Sequence, residues 1–197
     1  VGCAAEESLD LERARLFALL ARLLAEAPDV ALLGRLRRLA GEEGTPLGRA
    51  LAALADAAAR AEPGALEREY FDLFIGLGRG ELLPYASYYL TGFLHERPLA
   101  ELRGDLARLG VARAAGVAEP EDHIAFLCET LAGLLEGRLG PGAEAAGPFF
   151  ARHLRPWAGR FFADLEAAEA ARFYRAVGTL GRVTIEIEQA AAELPEE

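Results

Sequence analysis

The sequence predicts an all-α protein, built as a single compact bundle of about eight helices. Apolar residues recur at three- and four-residue steps through nearly the whole chain. The breaks between these runs are short and marked by proline or glycine. The one stretch that alternates as a strand would, VTIEIE at 183–188, has no partner strand elsewhere, and a lone strand leaves its backbone groups unpaired, so it reads as helix. A chain of 197 residues that is 52% hydrophobic suits one domain of ordinary size.

The elements follow in order. Leu9, Leu16, Leu20 and Leu23, with Phe17 and Leu24 beside them, mark one face of a first helix that stops near Pro28. Asp29 is placed to cap a second helix carrying Leu32, Leu33, Leu36 and Leu39, and Thr45 followed by Pro46 starts a third that runs to Ala61. A fourth begins after Pro63 and holds Leu66, Tyr70, Leu73 and Phe74. The pattern then breaks at GLGRGELLPYASYYLTG, where glycines and a proline interrupt any helix. Seven of the 16 aromatic residues lie between Tyr70 and Phe93, a concentration that either plugs the core beneath an irregular segment or lines a recess.

Helical spacing resumes at Pro98 with Leu99, Leu102, Leu106 and Leu109 and ends at Gly110. Residues 110–120 read as a connector and candidate hinge between an N-terminal half, about 8–110, and a C-terminal half, about 121–194. Pro120 is expected to open the next helix, with His123, Leu127, Leu131 and Leu134 in line, and a Gly/Pro/Ala link at 140–147 closes it. A helix with Phe149, Phe150, Leu154, Trp157 and Phe161 follows, perturbed at Pro156. The last helix carries Phe173, Val177, Leu180 and Ile187.

Charge and composition exclude several roles. Arginine supplies all 21 basic residues against 31 acidic ones, and a formal charge of -10 disfavours nucleic acid and anionic membranes as partners while favouring cationic ligands. The longest uncharged run, Leu82 to Leu94, is too short to span a bilayer, so no stable membrane insertion is expected. The opening VGCAAEESLD has neither a basic region nor an apolar core, and the two cysteines, Cys3 and Cys128, make no disulfide framework. Together these predict a soluble, unexported protein in a reducing compartment.

The parts of most enzymes are absent. Ser8 and Ser87 sit outside any nucleophile-elbow context, and without lysine there is neither a P-loop lysine nor a Schiff base. Gly76, Gly78 and Gly80 follow a helix and not a strand, so they read as a turn and not a phosphate cradle. His95, His123 and His153 lie one per segment with no HExxH or ExxH pair, so neither a metal nor any other cofactor is expected. A small helical metal-dependent hydrolase using these histidines and Asp122 is the rival from a different class.

Three elements stand out in order: Glu69-Tyr-Phe-Asp-Leu73-Phe74, then Leu83-Pro84-Tyr85-Ala-Ser87-Tyr88-Tyr89, then Glu119-Pro120-Glu121-Asp122-His123. With the HLRPW segment at 153–157, the chain resembles the TorD/DmsD/NarJ family of cytoplasmic chaperones for molybdenum-containing oxidoreductases. The first element matches the family's E-x-x-x-L-F, the second its Pro-Tyr-x-Ser and the third its E-P-x-D-H. The resemblance implies an all-helical fold, a cytoplasmic location and no catalysis. It also implies a client-specific chaperone that binds the twin-arginine signal peptide, or the apo form, of a molybdopterin-containing subunit and delays export until the cofactor is in place. In a NarJ-like variant the target is the mature body of a non-exported molybdoenzyme.

A twin-arginine leader presents two guanidinium groups followed by an apolar stretch, so its receptor needs carboxylates beside an apolar groove. Between Ala114 and Gly137 there is no arginine, while Glu119, Glu121, Asp122, Glu129 and Glu136 supply five carboxylates. The resemblance makes Asp122 and His123 the leading candidates for client contact, with Glu119, Glu121, Glu69, Tyr85, Ser87 and Tyr88 beside them. Leu73, Phe74, Pro84, Pro120 and Trp157 are expected to be structural. Each candidate has a plainer alternative: Glu121 and Asp122 as first-turn acids of a helix opened by Pro120, Glu69 as a cap on a neighbour, Cys128 as a small buried hydrophobe. A monomer and a dimer formed by exchanging halves across residues 110–120 both fit.

Overall fold

The computed structural model describes residues 2–42, 44–113, 116 and 118–192, with side chains from residue 7 onward. Among these residues the protein is helical, with one isolated antiparallel bridge between Tyr85 and His123. Ten α-helices form: α1 (Gly2–Ala25), α2 (Val30–Leu36), α3 (Pro46–Arg60), α4 (Pro63–Tyr70), α5 (Ala86–Thr91), α6 (Arg97–Arg108), α7 (Ile124–Leu135), α8 (Ala146–His153), α9 (Ala158–Ala167) and α10 (Phe173–Ala192). A π-helical turn, Phe71–Ile75, extends α4, and a 3₁₀ turn, Gly142–Ala145, precedes α8.

Two helices exceed the expected number, and both have local causes. The stretch with Phe149 and Phe161 is broken into α8 and α9 by four turn residues at 154–157, because Pro156 offers no N–H and its ring crowds the preceding turn. The other is α5, which forms inside the segment read as loop and ends where Gly92 takes a positive φ of 83°.

The start signals act as their chemistry dictates. The Asp29 carboxylate accepts from the Leu32 N–H at 2.7 Å, and the Thr45 hydroxyl accepts from the Gly48 N–H at 2.9 Å with Pro46 next in line. Pro120 departs from expectation. It lies in a turn, and the helix begins at Ile124 with His123 as its N-cap, so Glu121 and Asp122 are not first-turn acids. The Asp122 carbonyl is drawn instead into the bridge, where it accepts from the Ala86 N–H.

The helices fall into two compact units. One comprises residues 1–25 and 84–157, and the other 26–83 and 158–197. In the first, α7 packs on α1 and is apolar on nearly every face, burying Ile124, Leu127, Cys128, Leu131 and Leu134. The connector at 110–120 lies in this unit, and its residues 114, 115 and 117 are outside the described residues.

In the second unit, α10 packs on α9 and α3. The helices approach so closely that a Cβ on Gly181 would sit 2.1 Å from a ring carbon of Phe162, which is fully buried. The glycine-rich turn after the π segment belongs here. Leu82 N–H donates to Leu73 carbonyl at 2.8 Å, folding the chain back so tightly that a Cβ on Gly80 would meet the Leu73 carbonyl oxygen at 2.6 Å.

Candidate functional site

The site grows from the backbone pairing between the Pro-Tyr-x-Ser and E-P-x-D-H segments. Ala86 N–H donates to the Asp122 carbonyl at 3.0 Å, and Ile124 N–H donates to the Pro84 carbonyl at 2.9 Å. This pairing fixes the start of α5 against the start of α7. Its side chains complete it: Asp122 Oδ2 accepts from the Ser87 N–H at 2.9 Å and from the Ser87 hydroxyl at 2.5 Å. Asp122 is 1% exposed and Ser87 fully buried, so the carboxylate works as an internal staple. Its other oxygen, Oδ1, is buried with no hydrogen-bond partner among the described residues.

His123 sits beside it. Its Nδ1 accepts from the Ala125 N–H at 3.1 Å, capping α7, which leaves the proton of the neutral ring on Nε2. Burial pushes its pKa down to about 4, against the smaller opposing pull of Glu119 and Asp122, so the ring is neutral at pH 7. The Tyr85 ring packs edge-on to it at 5.1 Å, and the Tyr85 hydroxyl donates to Glu119 Oε2 at 2.5 Å.

The five carboxylates from 119 to 136 are therefore not equivalent. Burial raises the pKa of Glu121, but its hydrogen bond and charge pairing with Arg103, at 2.9 Å, outweigh this and hold it low. Glu136 pairs with Arg138. Asp122 is committed to Ser87. Glu119 and Glu129 are exposed, and among the described residues neither carboxylate meets a cation. Arg113, close by, donates to the backbone carbonyls of Ala118 and Glu119 and not to the Glu119 carboxylate.

Glu69 lies in the other unit, where it takes the capping role. Its carboxylate accepts from the backbone N–H groups of Arg172, Phe173 and Tyr174 at 2.7, 3.2 and 2.8 Å, closing the start of α10. Leu73 is fully buried, and Phe74 stacks with Tyr70 and Tyr174 at 5.0 and 5.4 Å. Trp157 is buried in the first unit, its indole N–H donating to the His153 carbonyl at 2.8 Å, with Tyr89 at 5.3 Å. Tyr88 is half-buried against Tyr89. Thus most of the clustered aromatics brace buried structure, while Phe93 is 70% exposed.

Two features were not anticipated from sequence. Asp105 and His153 form a buried pair, with His153 Nε2 2.8 Å from Asp105 Oδ2 and both Arg108 and Arg152 on the same carboxylate. Burial lowers the His153 pKa, against the raising effect of Asp105. These residues stand about 48 positions apart on different helices, and no local pattern announces them. The second is an exposed apolar run after α5: Leu90, Phe93 and Leu94 are 45%, 70% and 39% exposed. The length of the uncharged segment was its only signal.

The three histidines have separate surroundings. His123 caps α7, His153 pairs with Asp105 and His95 lies in the exposed loop at a positive φ of 60°. Among the described residues no three of His, Cys, Asp and Glu converge on a common point, and no helix is long and apolar enough to cross a membrane. Burial pushes the Cys128 thiol far up its range, leaving it unreactive.

Comparison with known proteins agrees with this all-helical frame. Residues 41–163 match the model of the nitrate reductase delta subunit family, and the chain belongs to that family, the group of TorD- and NarJ-like proteins. Chaperone protein TorD of Vibrio cholerae serotype O1 is 30% identical over 130 residues, 61% of this chain and 59% of that protein. The match thus spans about three fifths of the relative's length. Chaperone protein TorD of Shewanella loihica is 28% identical over 201 residues, 89% of this chain and 90% of that protein. Among solved structures, a redox enzyme maturation protein from Archaeoglobus fulgidus superimposes with a TM-score of 0.59 at 21% identity, covering 88% of this chain and 93% of the other, a likeness of fold.

Proposed function

We propose that the protein is a chaperone for a redox enzyme and not itself an enzyme. It acts in the cytoplasm on a molybdopterin-containing oxidoreductase subunit. It binds the twin-arginine leader or the apo-protein, occludes it from the export machinery, and yields when cofactor insertion and folding remove the surface it recognises. The observation that carries this reading is the surface at residues 90–94, where large apolar side chains stand exposed at the end of a helix held in place by the Asp122–Ser87 staple. A chain with this acidity offers such a client both carboxylates and apolar area. The names of its relatives support the reading.

A second reading has the mature body of a non-exported molybdoenzyme as the target, and the description of the matched family as a nitrate reductase subunit favours it. Affinity capture of the tagged protein from lysate of its own source, with retained proteins identified by mass spectrometry, tests both. The account expects a large molybdoenzyme subunit. A leader-bearing precursor points to the first reading and a leaderless one to the second, whereas recovery of no redox enzyme would overturn both.

A further inference from the structure

We infer that the client segment lies along the outer side of α5 in a fixed direction, its guanidinium groups at the Tyr85–Glu119 end and its apolar side chains on Leu90, Phe93 and Leu94. This rests on the leader-binding reading and assigns it a surface and a polarity. In this arrangement the motif residues Asp122 and Ser87 are positioning residues that hold the receptor helix and never touch the client.

The partners each carboxylate already holds decide which of them can receive a guanidinium. Asp122 is 1% exposed, and one of its carboxylate oxygens is already occupied by two Ser87 donors, so a solvated guanidinium cannot reach it without dismantling the staple. Glu121 is already held by Arg103. Glu119 differs on both counts. It is exposed, and its partner is a neutral phenol that uses one of roughly four acceptor positions on a carboxylate, leaving the rest for an incoming guanidinium. That phenol belongs to Tyr85, the N-cap residue of α5, so the open carboxylate marks the N-terminal end of the helix.

The other end is apolar. Six helical residues span about 9 Å, and beyond them the chain turns at Gly92 to present Phe93 and Leu94, followed by His95 at a positive φ that a side-chain-bearing residue rarely adopts. Leu90 also forms, with Ala86, Leu102 and Leu127, part of the wall of a recess of about 330 Å³. The cations beside that recess, Arg97 and Arg152, pair with Glu101 at 2.7 and 4.0 Å, and Arg152 also meets Asp105 at 3.2 Å. The carboxylates at this end are thus already occupied by arginines, whereas Glu119 meets only a phenol, and this sets the direction: charge at the Glu119 end, apolar residues at the Leu90 end. Ala86 and Leu90 both belong to α5, so the staple that fixes α5 also fixes this wall.

The test is fluorescence anisotropy with a labelled synthetic peptide in which two adjacent arginines precede a leucine–alanine run. It is compared with a peptide of the same composition in which the run precedes the arginines. The wild type should bind the first more tightly. Leu90→Ser/Phe93→Ser should weaken binding about tenfold or more, as expected when two apolar side chains lose their burial in a complex, and Phe93→Ser alone, at a side chain 70% exposed, should weaken it severalfold without lowering the melting temperature. Glu119→Gln should weaken it severalfold and flatten its salt dependence. Equal binding by wild type and these variants, or equal affinity for the two peptides, would overturn the assignment while leaving the leader-binding reading intact. Failure of the wild type to bind either peptide would overturn that reading and the assignment with it.

Discussion

At the scale of single residues, environment decides which of the chain's many ionisable groups are available. His123 shows this most clearly. Burial holds its pKa near 4, while the same imidazole in the unfolded chain takes a proton near 6.5. Between those values the unfolded state binds the proton that the folded state refuses, so stability is complete above about pH 6.5 and falls as the pH drops toward 4. The shift corresponds to about 3 kcal/mol. The lowered pKa of His153 acts in the same direction. His123→Asn keeps an N-cap on α7 without the titration, so urea unfolding between pH 7 and pH 4.5 should show a shallower loss of stability than the wild type. An unchanged slope would locate the titrating group elsewhere.

At the scale of elements, the join between α5 and α7 matters most. Asp122→Ala leaves the Ser87 N–H and hydroxyl buried without an acceptor, so it should cost about 2 to 3 kcal/mol in urea unfolding, well beyond a surface change. A melt indistinguishable from wild type would show that the carboxylate is not a staple. This join was the least legible part of the sequence. The caps at Asp29 and Thr45 follow from neighbours within a few residues, the helical nature of 183–188 from the lack of any partner strand in the sequence, and the structure has them as read. The late start of α7 does not, because it depends on pairing with residues about 38 positions earlier, a contact that no periodicity records. The same holds for α5, whose first residue is fixed from the far side of that bridge. Glu69 illustrates the intermediate case: capping was one of its two readings, but only the structure supplies the α10 amides that it receives.

At the scale of the whole molecule, an acidic, lysine-free helical chain of the nitrate reductase delta subunit family carries an exposed apolar run beside a rigidly held motif. On the proposed reading the molecule changes its client by occupying it and not by chemistry, so its effect must depend on the client's state. A ligand shifts an equilibrium only through different affinities for the two states. Calorimetric titration of the captured oxidoreductase subunit, prepared cofactor-free and cofactor-loaded, measures that difference directly. The account predicts that the cofactor-free form binds at least about tenfold more tightly, equivalent to 1.4 kcal/mol of discrimination. Equal affinity for the two forms would contradict it.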